Sequence, residues 1–390
     1  GLDRTQNVEL STLYAAGNQI ESLYITQNPE LSFLTLNDNL FTGTDILDQF
    51  YVHYLNRSSM RVNLNVENNM LSGTIPDFFS PFPLAQQSRR NEILFSGNAF
   101  EFGDFETEHL DYVSLLSTLT LGSSPDFVFR NYTYAPQAKV NAIESPVRNA
   151  GEDITLTTTV RGSKNHYTWF KDGVEILDAA DSPELILNDL NTCDAGVYHC
   201  EITSDLVPFE NADPPGTNGK NLVLVRNDIT LTVNATKACA ALDMPLTNVP
   251  VNSGIEWTDI PGACGYKISV GTASGATDLV NNEDVGDVTV YNFAANLLPN
   301  QDYFVTITPY FNDGDFTGCT EESFITSAAT SVPGCALLSL PMDGSDNVAT
   351  DLSMIQWNPG NGADEYDITI SSPSGANDIT TTLTDTFITQ

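Results

Sequence analysis

The line TQNVE at Thr5–Glu9 returns as TQNPE at Thr26–Glu30, and each copy sits inside a longer echo. Leu2, Thr5, Gln6, Asn7, Glu9, Leu10, Ser11, Leu13 and Asn18 recur identically at Leu23, Thr26, Gln27, Asn28, Glu30, Leu31, Ser32, Leu34 and Asn39. A repeat this short cannot bury an apolar face by itself, so copies must stack and cover one another. Leucines spaced by two along a short strand point into the shared interior. An asparagine at the following bend can turn inward, where its amide supplies both donors and an acceptor to backbone groups. Looser copies follow at Leu64, Val66 and Asn69 and at Ile93, Phe95 and Asn98, and Leu119, Leu121 and Ser124 read as a last strand. The ladder Asn18, Asn39, Asn69, Asn98, Ser124 is spaced by 21 residues and then by 26–30, leaving room for helices such as TDILDQFYVHYLN.

The spacing L-x-x-L-x-L-x-x-N-x-F at Leu31–Phe41 resembles the leucine-rich repeat, and LSGTIP after Asn69 resembles the LSGxIP stretch of its longer forms. The resemblance implies a solenoid over 1–134 with a concave strand face. The residues between its buried leucines are Thr12, Tyr14, Phe33, Thr35, Asn63, Asn65 and Leu94. Arg4 departs from the pattern, standing where Ile25 stands in the next copy. Phe78, Phe79, Phe82, Phe100, Phe102 and Phe105 are expected to fill the convex side, an exposed aromatic patch being the alternative. Because Leu2–Asn7 matches the second half of a repeat, an earlier repeat or a cap is expected before Gly1.

Continuous β-alternation begins near residue 135 and runs to 236. GEDITLTTTV, YTWFKDG and DAGVYHCEI carry Trp169, Tyr198, Cys200 and the turn Asp194-x-Gly196 in the order of an immunoglobulin domain, which this segment resembles. Thr158 stands where the partner cysteine of that family would be. Cys200 is therefore read as a buried thiol near Trp169. Cys193 is too far along an extended chain to reach Cys200 easily and is read as a free thiol. The long connection SDLVPFENADPPGTNGKN, broken by Pro214–Pro215–Gly216, precedes the closing strands.

A second repeat follows with a period near 100 residues. Trp257 maps to Trp357, Tyr266 to Tyr366, Asp278 to Asp378 and Cys239 to Cys335. The tryptophan and tyrosine on neighbouring strands resemble fibronectin-type-III sandwiches, one over 237–331 and a second, incomplete, over 332–390. A Cys239–Cys319 disulfide is expected, while Cys264 has no evident partner. The block YKISVG…GCTEESF resembles secreted proteins of Bacteroidetes, including cargo of the type IX secretion system. The chain is expected to continue past Gln390.

With 51 acidic and 15 basic residues the net charge is −36, which disfavours nucleic acid. The acids read as a solvated, self-repelling surface. Calcium is the alternative, at Asp343 and Asp346 in DGSD or at Asp284 and Asp287 in NNEDVGD, though neither segment has the spacing of a calcium loop. No other cofactor is expected. No apolar run spans a bilayer. GxSxG, HExxH, Walker and Rossmann patterns are missing from the sequence, and His53, His109, His166 and His199 are scattered.

The fold expected is thus mainly β, a repeat solenoid followed by sandwiches in tandem, and the function non-enzymatic adhesion at an extracellular surface. The partner is a protein or glycan of another cell, or other copies of this chain. A homo-oligomeric extracellular fibre, or an ancillary module of a polysaccharide-degrading enzyme, are the alternatives.

Overall fold

The computed structural model describes residues 2–3, 7–55, 62–78, 91–117, 129–207, 222–328, 336–341, 353–360, 363, 365–370 and 379–389. The chain is mainly β and divides into two compact units. The first holds Gly1–Arg148, Glu152–Asp189 and Ala195–Thr232; the second holds Asn149–Gly151, Leu190–Asp194 and Val233–Gln390.

In the first unit the echoed copies form a parallel five-stranded sheet from Thr12–Tyr14, Phe33–Thr35, Asn63–Asn65, Asn91–Leu94 and Phe129–Thr133, in that order. Their register is one residue per strand: Leu13, Leu34, Leu64, Ile93 and Tyr132 stand side by side. All five are buried, and so are Ala15, Leu36, Val66, Phe95 and Tyr134 two residues on. Period-two alternation therefore places the whole apolar set on one face.

The bend after each of the first four strands is held by asparagine. Asn39 Nδ2 donates to the Ala15 and Leu36 carbonyls, while its Oδ1 accepts the Ile20 N–H. Asn69 repeats this with Leu36, Val66 and Phe41, and Asn98 with Val66, Phe95 and Leu71. The residue before each rung has a left-handed backbone: Gly17, Asp38, Asn68 and Gly97 lie at φ +68°, +58°, +55° and +71°. Glycine, asparagine and aspartate are the residues that tolerate this conformation. At Gly97 a Cβ would also stand 2.2 Å from the Asn68 side-chain oxygen, so only glycine fits.

The fifth strand corrects the sequence reading. Leu119, Leu121 and Ser124 lie outside the described residues, and the strand paired with Asn91–Leu94 is Phe129–Thr133. Its rung is Gln137, whose Nε2 donates to the Phe95 and Tyr134 carbonyls and whose Oε1 accepts from Asn98 and Phe100. Pro136 precedes it, and proline cannot take a positive φ, so the longer glutamine reaches the same carbonyls from a different bend.

Helix Asp45–Leu55 occupies the first long connection. Gln49 reaches from it to accept the Ile25 N–H at 2.9 Å and donate to the Leu23 carbonyl, tying helix to coil. Phe78, Phe100, Phe102 and Phe105 are fully buried, with Phe100 edge-on to Phe95 and Phe105. They are core, not an exposed patch. Phe79 and Phe82 lie outside the described residues, as does Arg4.

The same unit holds a β-sandwich. One sheet runs Val147–Asn149, Ile229–Asn234, Gly196–Ser204, Asn165–Lys171 and Val174–Glu175, with Leu224–Val225 also on Gly196–Ser204; the other pairs Ile154–Thr157 with Glu184–Leu187. Trp169 stands opposite Cys200 in register, fully buried, and its indole N–H donates to the Ser182 carbonyl. Burial pushes the Cys200 thiol up to about 12, so it is an inert core group. Thr158 is buried, and its hydroxyl donates to Asn141 Oδ1 at 2.8 Å. Arg226 is buried outright and satisfied by the Thr157, Ala142 and Asn227 carbonyls and the Glu144 carboxylate.

The second unit is built on a sheet of Val280–Gly286, Gly265–Gly271, Asp302–Phe311, Gly314–Asp315 and Glu322–Ile325. Trp257, Tyr266, Ile268, Val270, Val305 and Phe324 lie in its core. Trp257 meets Tyr266 edge-on at 5.6 Å and 66°, and Trp357 meets Tyr366 at 5.6 Å and 63°, so the period of about 100 residues reproduces one packing geometry. Cys239 is bonded to Cys319. Cys335 lies outside the described residues.

A second disulfide overturns the reading of Cys193 and Cys264 as unpaired: they are bonded to each other, their Cα atoms 5.6 Å apart. Distance along the extended chain bears only on a bond between Cys193 and Cys200 and leaves a partner elsewhere in the fold open. The 3₁₀ turn Thr192–Asp194 belongs to the second unit, where Thr192 donates both its N–H and its hydroxyl to the Gly262 carbonyl. That pair of bonds sets Cys193 beside Cys264.

Candidate recognition face

The residues on either side of the buried row form two rows, outward-facing except for Thr133, which is itself buried. One is Thr12, Phe33, Asn63, Glu92 and Asn131; the other is Tyr14, Thr35, Asn65, Leu94 and Thr133. All seven residues named from the sequence fall in these rows. Tyr14 is 73% exposed at the first strand, whereas Phe33, Thr35, Asn63, Asn65 and Leu94 are half-buried among their neighbours. Strands about 4.8 Å apart set the pitch of each row.

Sequence reasoning missed Glu92, Asn131 and Thr133, and with them Glu67 and Ser96 just beyond the second row. Glu67 Oε1 accepts from Ser96 Oγ at 3.0 Å and Thr133 Oγ1 at 2.8 Å, and its N–H donates to Asn65 Oδ1. Two hydroxyls from the neighbouring repeats thus hold one carboxylate in place. The signal available was Tyr132-x-Tyr134-x-x-Gln137, which repeats Ile93-x-Phe95-x-x-Asn98 with aromatic and glutamine substitutes.

Two of the four calcium candidates, Asp284 and Asp287, fall among the described residues. Asp284 Oδ1 accepts the Gly286 N–H, and Asp284 stands opposite Lys267 in register. Among the described residues no group of three or more His, Cys, Asp or Glu is placed to hold a metal ion, and Asp343 and Asp346 lie outside those residues.

A buried titratable pair lies elsewhere in the first unit. Burial, then the charges of Asp77 and Asp111, push Glu108 up to about 7. Burial drives the adjoining His109 down to about 4; its ring lies 3.2 Å from the Tyr132 hydroxyl and edge-on to Tyr134. Their linkages oppose each other. Glu108 is protonated in the fold and ionised in the unfolded chain between its ordinary value and about 7, so its contribution falls as pH rises through that window. His109 is neutral in the fold but charged unfolded between about 4 and its ordinary value, so its contribution grows with pH there. Glu108→Gln removes the first effect. Its stability is expected to rise more steeply between pH 4 and 6.5 than that of the parent chain, as read from thermal midpoints across that range; parallel profiles would refute the assignment.

No protein-family model and no curated protein matches the sequence. Among solved structures, the chain is similar to Drosophila OTK extracellular domains 3–5 at 12% identity and a TM-score of 0.24, covering 60% of this chain and 79% of that one. It is similar to the chicken CNTN1 FN1–FN3 domains at 14% identity and 0.21, covering 49% and 69%. The fibronectin(III)-like modules of Clostridium thermocellum CbhA match at 14% and 0.19, covering 48% and 92%. TM-scores this low carry no weight for fold or function, which rest here on the strands and side chains above.

Proposed function

We propose that the chain is a non-enzymatic extracellular recognition segment, in which a leucine-rich-repeat solenoid presents its strand face and β-sandwiches of immunoglobulin and fibronectin-type-III kind carry it. The observation that carries this reading is the in-register double row of side chains on five parallel strands, outward except at Thr133, with the apolar row between them buried. A parallel sheet of this kind offers a regular, rigid surface, and rigidity spares a binding site the cost of ordering its side chains. Two disulfides support an oxidising compartment. No helix among the described residues is long and apolar enough to cross a membrane. In this reading the segment is part of a surface protein of Bacteroidetes type, exported by the type IX route.

The test uses the whole 390-residue chain, labelled and applied to a panel of bacterial and host cells. Saturable binding is expected, with most of it lost in a Tyr14→Ala, Phe33→Ala double variant whose circular dichroism matches the parent. Absence of binding across the panel, or binding untouched by the double variant, would sink the proposal.

A further inference from the structure

We propose that the partner held by this face is a neutral, extended glycan. The inference rests on the recognition reading and narrows it to one ligand chemistry. Of the ten positions in the two rows, nine of them outward and Thr133 buried, none is Lys or Arg and one, Glu92, is acidic. Acidic polysaccharide would find no cation at those ten positions. A basic protein would be drawn to the acids spread over the whole chain rather than to this face. A second copy brings a like net charge of −36, whose repulsion opposes stacking face to face.

What remains on the face is the inventory that hydroxyl-rich rings need. Tyr14 and Phe33 supply flat apolar surfaces at the first two strands for the C–H faces of pyranose rings. Thr35, Asn63 and Asn65 supply hydroxyl and amide groups, which both donate and accept and so match sugar hydroxyls that do the same. Glu67 supplies a carboxylate already fixed by Ser96 and Thr133. Such preorganised acceptors lose little freedom when a ligand hydroxyl arrives. Periodicity adds to the chemistry. Strands recur about every 4.8 Å, close to the advance of one sugar ring along an extended chain, so successive rings can meet successive strands.

Cellohexaose, laminarihexaose and mannohexaose are the neutral probes and an alginate hexamer the acidic one, each titrated calorimetrically into the 390-residue chain. Binding of at least one neutral hexamer is expected, weakened about tenfold or more in Tyr14→Ala and separately in Asn65→Ala, with alginate silent. Thr35→Val, which changes little but a hydroxyl, guards against loss through misfolding and is expected to weaken binding as well. Binding of alginate in place of the neutral hexamers would overturn the inference. So would cell adhesion that Tyr14→Ala, Phe33→Ala abolishes while no neutral hexamer binds, an outcome that leaves the recognition reading standing. If the chain neither adheres nor binds a hexamer, both fall. Concentration-dependent dimers that the same substitutions dissolve would assign the face to a second copy.

Discussion

Asn98→Ala is expected to destabilise the first unit by about 3 kcal/mol or more, seen as a lowered urea midpoint. The side chain is fully buried and makes a donor–acceptor–donor bridge across adjacent coils. Its loss would not strip every partner equally. Val66 O keeps a bond from Asn69, and Phe95 O keeps one from Gln137. The Leu71 N–H, by contrast, would lose the Asn98 oxygen to which it donates, inside a packed interior. An unmet buried donor costs about 1–3 kcal/mol, and each of the two weakened carbonyls adds a lost bond of about 1 kcal/mol. Asn18 provides the control: it is exposed, its side chain donates to the nearby Ala15 and Ala16 carbonyls, and Asn18→Ala should cost under about 1 kcal/mol. Asn98→Asp keeps the acceptor for Leu71 but aims a carboxylate at two carbonyls, so it should be at least as damaging as alanine. Equal effects at Asn18 and Asn98 would refute the ladder as the source of stability.

The ladder was legible because a rung needs a short side chain with both a donor and an acceptor, and asparagine is that side chain. Where the chain met the same need with Gln137 and filled the core with Tyr132 and Tyr134, a search for leucine and asparagine passed over the strand and settled on Leu119, Leu121 and Ser124. The face inherited the error. Its first four strands were read correctly in outline, but Asn131 and Thr133 belong to a strand the pattern did not reveal, and Glu92 and Glu67 carry no periodic mark. Tandem repetition was easier to read in the second unit, since Trp257 with Tyr266 and Trp357 with Tyr366 keep both identity and packing geometry. The Cys193–Cys264 bond illustrates the limit. Spacing along the chain says nothing about a turn whose place is fixed by hydrogen bonds to Gly262, a residue 70 positions away from Thr192.

Arg161→Ala is expected to cost about 3 kcal/mol, although more than half of the arginine side chain is in solvent. The reason lies with its partner. Asp104 is fully buried, and it accepts two guanidinium bonds from Arg161 at 2.6 and 2.7 Å besides the Glu101 N–H at 2.9 Å. Arg161 Nε and N–H both donate to Glu101, its carbonyl accepts from Gly103, and Ser163 donates its hydroxyl to Glu106 two residues further along. The short helix Phe102–Phe105 at the end of the repeats is thereby clasped by the sandwich segment that follows Val160, which is why repeats and sandwich fall in one compact unit. In a chain with 51 acids and 15 bases most carboxylates must go to water, and one held in the interior requires a dedicated cation. Removing that cation strands the charge, which costs far more than losing a surface pair of under about 1 kcal/mol. Arg161→Lys should recover less than half of the loss, because a single ammonium cannot span both carboxylate oxygens. A double-mutant cycle with Asp104→Asn separates the terms: strong coupling is expected, and the double variant should be more stable than Arg161→Ala alone, since the neutral amide no longer needs a counter-charge. Additive losses in that cycle would mean that the buried carboxylate is satisfied by its backbone donors and that the arginine is dispensable.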